Sequence, residues 1–227
     1  MVLSLKGFSS DINSDLNYTN IAVLAIADGV GGGPAGEVAS RSSIAFFFKS
    51  FIGSVMSFSN PQEARKSVIE LIRESFQFAH SEVSRSAIQN PSYIGMASTL
   101  TVAVLADSHC YIGHVGDSRC YLIRSGRIKQ LSMDHNAAGS KNMISQATGA
   151  MSISTFTSEL LLENNDVLLL CSDGLSNYVS DEEIASILST DAKDISLASR
   201  RLIEAANERG GGDNITVALG KVSLEIF

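Results

Sequence analysis

An α+β fold built on antiparallel strands is predicted for this chain by three observations. Ser98 to Leu131 breaks into short β runs whose connections are too short to hold a crossover helix, so neighbouring strands run antiparallel. Two long segments with helical signals come before that region, and two capped helical segments come after it. A length of 227 residues with 44% hydrophobic content is enough for one well-buried core, and a single domain over 1–227 is expected.

Ile21 to Ala27 is a continuous apolar run that stops at Asp28-Gly29, the pattern of a buried strand delivering a carboxylate to its end. Gly31-Gly32-Gly33 makes a turn, and Pro34 is placed to open a helix through Phe51. Asn60-Pro61 opens a second helix, in which Ala64, Val68, Ile72, Phe76, Ala79 and Val83 form one apolar stripe that belongs in the core. The β runs are Thr99 to Leu105, Cys110 to Val115 and Arg119 to Arg124, which read together as an antiparallel meander. Met133 to Asn165 has few periodic apolar positions and reads mainly as a surface excursion. Asp166 to Cys171 is a strongly apolar strand. A helix opened by the capping box Ser180-x-x-Glu183 follows, then one from about Asp194 to Arg209 that Gly210-Gly211-Gly212 stops. Ile215 to Gly220 is the last strand.

The net charge of -7 argues against a nucleic-acid partner, because such proteins need basic surface to displace the counterions of phosphate. Phosphate chemistry on such a chain needs positive charge from elsewhere, and bound metal is the obvious source. Cys110, Cys120 and Cys171 lie in apolar, strand-like surroundings without metal-ligand spacing, so they read as buried free thiols of a reducing, cytoplasmic compartment. Met1 to Lys6 is too short for the apolar region of a signal peptide. No stretch approaches the ~20 apolar residues of a membrane span, so a soluble protein without a membrane partner is expected.

Four aspartates share one local context: Asp28 in Ala-Asp-Gly, Asp117 in Gly-Asp-Ser-Arg, Asp173 in Ser-Asp-Gly and Asp213 in Gly-Asp-Asn. Any one of them fits ordinary turn chemistry, since Asp bonds its own backbone and Gly accepts positive φ. Four carboxylates at the ends of neighbouring strands are a different matter, because they repel one another unless a cation neutralises them. All-oxygen ligands suit Mg²⁺ or Mn²⁺, and the lack of paired His or Cys argues against zinc.

With these motifs in order, the chain resembles the type 2C metal-dependent serine/threonine protein phosphatases, the bacterial variant more closely because Val30 follows Asp28-Gly29. The resemblance rests on Asn13-Ser14-Asp15, Ala27-Asp28-Gly29-Val30-Gly31-Gly32, Gly116-Asp117-Ser118-Arg119, Ser172-Asp173-Gly174-Leu175 and Gly212-Asp213-Asn214-Ile215-Thr216, which span nearly the whole chain. Ala35-Gly36-Glu37-Val38-Ala39, Gly95 to Leu100 and Asp134-His135 support it. It implies a four-layer α-β-β-α sandwich of two antiparallel sheets flanked by helices. It also implies a binuclear Mg²⁺ or Mn²⁺ centre in which Asp28 bridges both ions, Asp173 and Asp213 complete the first, and the carbonyl of Gly29 binds the second. Asp15 would help through water, Asp117 with Asp173 would hold a third, weaker ion, and Asn214 would support the centre from behind. Catalysis would be attack on a phosphoester by a water held between the ions, with Asp28, Asp173 and Asp213 as the catalytic carboxylates. The implied partner is a phosphorylated protein, opposed to a serine/threonine kinase.

The chain departs from the family pattern at two positions and in one length. Ser10 stands where an arginine usually grips the phosphate, Ser14 replaces the usual Glu of the triplet, and the stretch between Asp134 and Asp166 is shorter than the usual flap. These departures define the alternative, a phosphatase-like module that binds phosphoproteins with little or no turnover. Gly31-x-Gly33-x-x-Gly36 has the form of a dinucleotide fingerprint. It lacks the acidic residue that reading needs after a second strand, and Asp28 would face the pyrophosphate. His80, His109, His114 and His135 read as structural.

Overall fold

The computed structural model describes residues 2–6, 20–30, 35–57, 61–106, 108–137, 144–191 and 194–223. From the N-terminus the elements are β1 (Val2–Lys6), β2 (Asn20–Ile26), α1 (Gly36–Ser57), α2 (Pro61–Gln89), β3 (Leu100–Ala106), β4 (His109–Val115), β5 (Arg119–Arg124) and β6 (Arg127–Gln130). They continue with β7 (Phe156–Leu161), β8 (Val167–Cys171), α3 (Asp173–Ser176), α4 (Asp181–Thr190), α5 (Ile195–Glu208) and β9 (Val217–Lys221). One sheet has the strand order β1-β2-β3-β4-β7 and the other β6-β5-β8-β9, and every pairing is antiparallel.

Alternation along each strand divides the apolar side chains between two faces and so builds four layers. Val23, Ala25, Val102, Val104 and Tyr111 turn to the helix pair, where Phe47, Phe51, Ile72 and Phe76 meet them. Leu24, Ile26, Ala103, Ile112, Leu122, Leu168 and Leu170 fill the space between the sheets. Tyr121, Ile123, Val167 and Leu169 turn outward to Ile184, Leu188, Leu202 and Ala206 on α4 and α5. The α-β-β-α sandwich expected from the resemblance is therefore the observed architecture.

The predicted stripe of the second helix is buried from Val68 through Val83. Ser180 caps α4 as expected, with the Glu183 N–H donating to Ser180 Oγ at 3.3 Å, but the Glu183 carboxylate binds Arg209 at 2.7 Å, so the observed bonds give half of the predicted capping box. Three further details differ from expectation. The β runs do not form one continuous meander: β3 and β4 pair in the first sheet, β5 and β6 in the second, and the chain changes sheet at Gly116, whose φ of +113° turns it out of the first. The stretch read as a surface excursion supplies β7, an edge strand whose burial is only partial, which is why it shows little periodicity. The opening residues form β1, also at an edge.

The carboxylate of Asp166, 1% exposed, anchors the end of the sandwich away from Asp117. Arg124 donates to it from Nε at 2.9 Å and Nη2 at 2.7 Å, and Nη2 also reaches the Leu161 carbonyl at 2.8 Å, tying β5 to the end of β7.

α2 lies so close to β4 that Gly113 is the contact point. A Cβ placed there would come 2.7 Å from Phe76 Cε2 and nearer still to Ile72. Gly113→Ala is therefore expected to destabilise the fold by about 1–3 kcal/mol through overpacking, read as a lowered midpoint in denaturant. An unchanged midpoint would mean that α2 can slide away without loss.

Candidate active site

The site is assembled where strands of both sheets end. Past β2 the chain stays pinned to the segment entering β3: the Asp28 N–H donates to Thr99 Oγ1 at 2.9 Å, and the Asp28 carbonyl accepts from the Thr99 N–H at 2.8 Å and from Ser98 Oγ at 2.9 Å. The Val30 N–H donates to the Ala97 carbonyl at 2.9 Å. Thr99 Oγ1 also lies 2.8 Å from Ser118 Oγ, joining this corner to the one that carries Asp117. Ser98 exchanges backbone bonds with Thr148, whose hydroxyl meets Ser43 of α1 at 2.6 Å. Asp28 is thus fixed through its backbone, and its carboxyl is left for other work.

Asp173 opens α3 directly after β8, and Asp213 lies on the approach to β9. Ser172 joins them: its Oγ donates to the Asn214 carbonyl at 3.1 Å and accepts from the Thr216 N–H at 3.0 Å. The next residue but one is Gly174, against which the Asn214 carbonyl packs so closely that no Cβ fits. Asn177, one turn along from Asp173, donates to its Oδ2 at 3.1 Å. Asp213 Oδ1 accepts the Asn214 N–H at 2.7 Å, so the observed part of Asn214 is its backbone, bonded on both sides.

Asp117 sits in the three-residue corner between β4 and β5. Its neighbour Gly116 is gripped by two histidines. His114 Nε2 donates to the Gly116 carbonyl at 2.9 Å and Nδ1 faces Thr101 Oγ1 at 2.9 Å, while His135 Nδ1 accepts the Gly116 N–H at 3.2 Å. Burial lowers the His114 pKa to about 4 and pulls that of His135 down as well, so both rings are neutral and serve as hydrogen-bonding struts. Arg119 grips Asp134 through Nε and Nη2, at 2.8 Å for the shortest bond. His80 accepts the Gly149 N–H at 3.3 Å.

The four carboxylates repel one another at these strand ends. Burial, followed by the charges of Asp173, Asp213 and Asp117, pushes the Asp28 pKa up to about 7, and a hydrogen bond with the Asp173 side chain adds to the effect. Burial and the Asp173 charge push Asp117 up to about 6. Asp173 is itself raised, by burial and then by Asp213. Among the described residues no arginine or lysine lowers the Asp28 pKa, and Arg119 offsets only part of the rise at Asp117. Negative charge is thus gathered with little side-chain compensation. Among the described residues, no group of three Asp, Glu, His or Cys side chains that could hold a metal ion is found. The Asp28–Asp173 pair, joined by a side-chain hydrogen bond, fits a small hard cation that takes one or two carboxylates and keeps much of its water.

Asp15, Ser10, Ser14 and the Gly31-Gly32-Gly33 turn lie outside the described residues. The three cysteines are buried and free, and burial pushes Cys110 and Cys171 up to about 12, so neither is a thiolate nucleophile. β2 pairs antiparallel on both sides, which excludes the parallel βαβ unit of a dinucleotide site. Sequence reasoning missed Asn177, although its spacing of four from Asp173 on a helix was the available signal, and it missed Ser172 and Thr99 as the fasteners of the two corners. Among the described residues, no helix is long and apolar enough to cross a membrane.

A sandwich of two antiparallel sheets that gathers aspartates at its strand ends is the fold of metal-dependent phosphatases. Residues 14–208 match the protein phosphatase 2C family, and the chain belongs to it. It is thus an enzyme of the protein-phosphatase class. It is 32% identical to protein phosphatase PhpP of Streptococcus pneumoniae, covering 94% of this chain and 91% of that one. It is 31% identical to the serine/threonine phosphatase stp of Listeria welshimeri, over 92% and 87%. The crystal structure of the serine/threonine phosphatase PstP/Ppp of Mycobacterium tuberculosis superposes with a TM-score of 0.77 at 27% identity, covering 98% of this chain and 97% of that one. A second PstP structure, the catalytic domain in complex with two manganese ions, gives 0.76 at 28% identity with the same coverage.

A carboxyl whose pKa is higher folded than unfolded binds more protons in the folded state, so its ionisation favours unfolding. For Asp28 the cost is absent below about pH 4, grows as pH rises, and is complete above about pH 7. The metal-stripped protein should therefore lose thermal stability across that window, and Asp28→Asn should raise its Tm at the alkaline end and flatten the slope. Parallel Tm-against-pH curves for the two proteins in chelator would show that Asp28 does not carry this charge strain.

Proposed function

We propose that this chain hydrolyses phosphoserine and phosphothreonine in proteins, with Asp28, Asp173 and Asp213 holding two Mn²⁺ or Mg²⁺ ions. The observation that carries the reading is the placing of Asp28, Asp173 and Asp213 at the strand ends of two sheets, where burial first, and then the charges of Asp173, Asp213 and Asp117, raise the Asp28 carboxyl to about 7. A binding-only domain has no need to gather that charge. When bound, the ions supply an activated water and stabilise the charge that develops on the phosphoryl oxygens.

The chain's own residues set the geometry. Asp28 is held at the end of β2 because the Ser98–Thr99 corner fixes its backbone. The carbonyl of Gly29, the next residue, is the proposed backbone ligand. Asn177 turns Asp173, and the Ser172–Asn214 bond holds Asp213 at the same end. Asp117 is assigned to a third, weaker ion, with Asp15 contributing through water and Asn214 supporting the Asp213 loop. Residues 1–227 act as one phosphatase domain, in the cytoplasm, on substrates that a serine/threonine kinase phosphorylates. The relatives' names support the substrate class, and the two manganese ions of the PstP structure support the cofactor.

Turnover of p-nitrophenyl phosphate and of a phosphothreonine peptide should require Mn²⁺ or Mg²⁺ and stop in chelator. Asp28→Ala, Asp173→Ala and Asp213→Ala should each lower turnover by about three orders of magnitude or more with the circular dichroism spectrum retained. Activity that survives exhaustive chelation would sink the metal mechanism, and near wild-type turnover in one variant would remove that residue from the centre.

A further inference from the structure

The two sheets are unequal, and the mismatch leaves a gap at one edge. β2 lies against β8 and β9, and β3 lies against β5. Continuing the two strand orders from that overlap puts β4 over β6 and leaves β7 with no strand facing it. A cleft of about 780 Å³ opens there, with Leu122, Leu131 and Leu160 as its apolar floor and Arg124, Arg127 and Lys129 on its wall.

Register explains the composition of the cleft. Lys129 pairs with Leu122 and Arg127 with Arg124, so all four side chains share the face turned toward the other sheet, while Ile128 between them packs with the α4–α5 core. Arg124 is committed to Asp166 and, at 2.6 Å, to Glu163. Arg127 and Lys129 are exposed and make no ion pair among the described residues. β6 is the last strand of its sheet, and among the described residues no strand pairs with its outer backbone edge. A chain of net charge -7 thus carries two uncompensated cations on an open strand edge above an apolar floor.

We propose that this cleft docks an extended segment of a partner protein in which acidic and apolar residues alternate, the segment adding to β6 as a fifth strand of the second sheet. Its backbone would satisfy the free edge of β6, its carboxylates would sit beside Arg127 and Lys129 as cross-strand pairs, and its apolar residues would fall beside Ile128. The added strand also supplies what β7 lacks, a strand facing its inner side, where Leu160 lies. The cleft is remote from the reaction: Arg124 and Arg119 are opposite ends of β5, about 17 Å apart at the usual rise per residue. Docking therefore adds affinity for a protein without touching the chemistry of the phosphoester, by raising the local concentration of whatever the segment is attached to. The proposal is independent of the metal mechanism.

The test uses the full chain and a fluorescent synthetic peptide of alternating Glu and Val, about eight residues long to match a strand, read by fluorescence anisotropy. The Glu-Val peptide should bind, more weakly as salt rises, and a Gln-Val peptide should bind less well. The double variant Arg127→Glu, Lys129→Glu should lose at least about tenfold in affinity, with Arg127→Gln, Lys129→Gln intermediate, because reversal turns two attractive pairs into repulsive ones. Turnover of p-nitrophenyl phosphate should be unchanged in both variants, which also shows that they fold. Absence of Glu-Val binding, or equal binding by the charge-reversed protein, would overturn the proposal. So would charge reversal that instead abolishes adhesion to phosphatidylglycerol vesicles or self-association in sedimentation, or that only makes the protein aggregate, which would mark the two cations as guards of an exposed edge. Failure of wild-type turnover would sink the proposed reaction and leave the docking result standing.

Discussion

Mutual repulsion among Asp28, Asp117, Asp173 and Asp213 is the constraint that the rest of the structure serves. Like charges gathered in a half-buried place cost stability, and among the described residues no basic side chain offsets them at Asp28. The fold keeps them together by bonding their backbones. Thr99 and Ser98 fasten the Asp28 corner, Ser172 and Asn214 fasten the second, and neutral His114 and His135 fasten the third through Gly116. Two sheets are needed because one cannot bring this many strand ends to one place: β2 comes from the first, β8 and β9 from the second, and Asp117 lies on the crossing between them.

Much of this was legible in the sequence, for a physical reason. Aspartate beside glycine at the end of an apolar run is a local pattern, and it marked all four carboxylates. The helix stripe from Val68 to Val83 and the Ser180 cap were legible because periodicity and capping are also local. What failed was non-local. Nothing within Arg119 to Arg124 says that β5 leaves the sheet of β4, because the change of sheet rests on one positive φ at Gly116. β7 was missed because Thr157-Ser158-Glu159 leaves too few apolar positions for a period to show, and β1 because its five residues are too short a run to be recognised. Asn177 escaped because a carboxylate's supporting partner has no motif of its own, only a spacing.

The departures from the family pattern and the gathered carboxylates fall on different segments of the sequence. Ser10, Ser14 and the shortened stretch after Asp134 depart from the pattern, whereas Asp28, Asp173 and Asp213 keep it. Those three carboxylates stand at strand ends that the core holds rigid, where a change of sequence disturbs packing most.

The crossing from β4 to β5 takes three residues, Gly116-Asp117-Ser118, and it passes through the site. No slack exists in so short a bridge. Any shear of one sheet over the other has to be absorbed at Asp117, and through the Ser118–Thr99 contact it reaches Asp28 as well. The middle layer of Ile112, Leu122, Leu168 and Leu170 therefore acts as a mechanical gauge. The fit of these side chains, buried between the sheets, thus bears on where the Asp117 and Asp28 corners stand relative to each other.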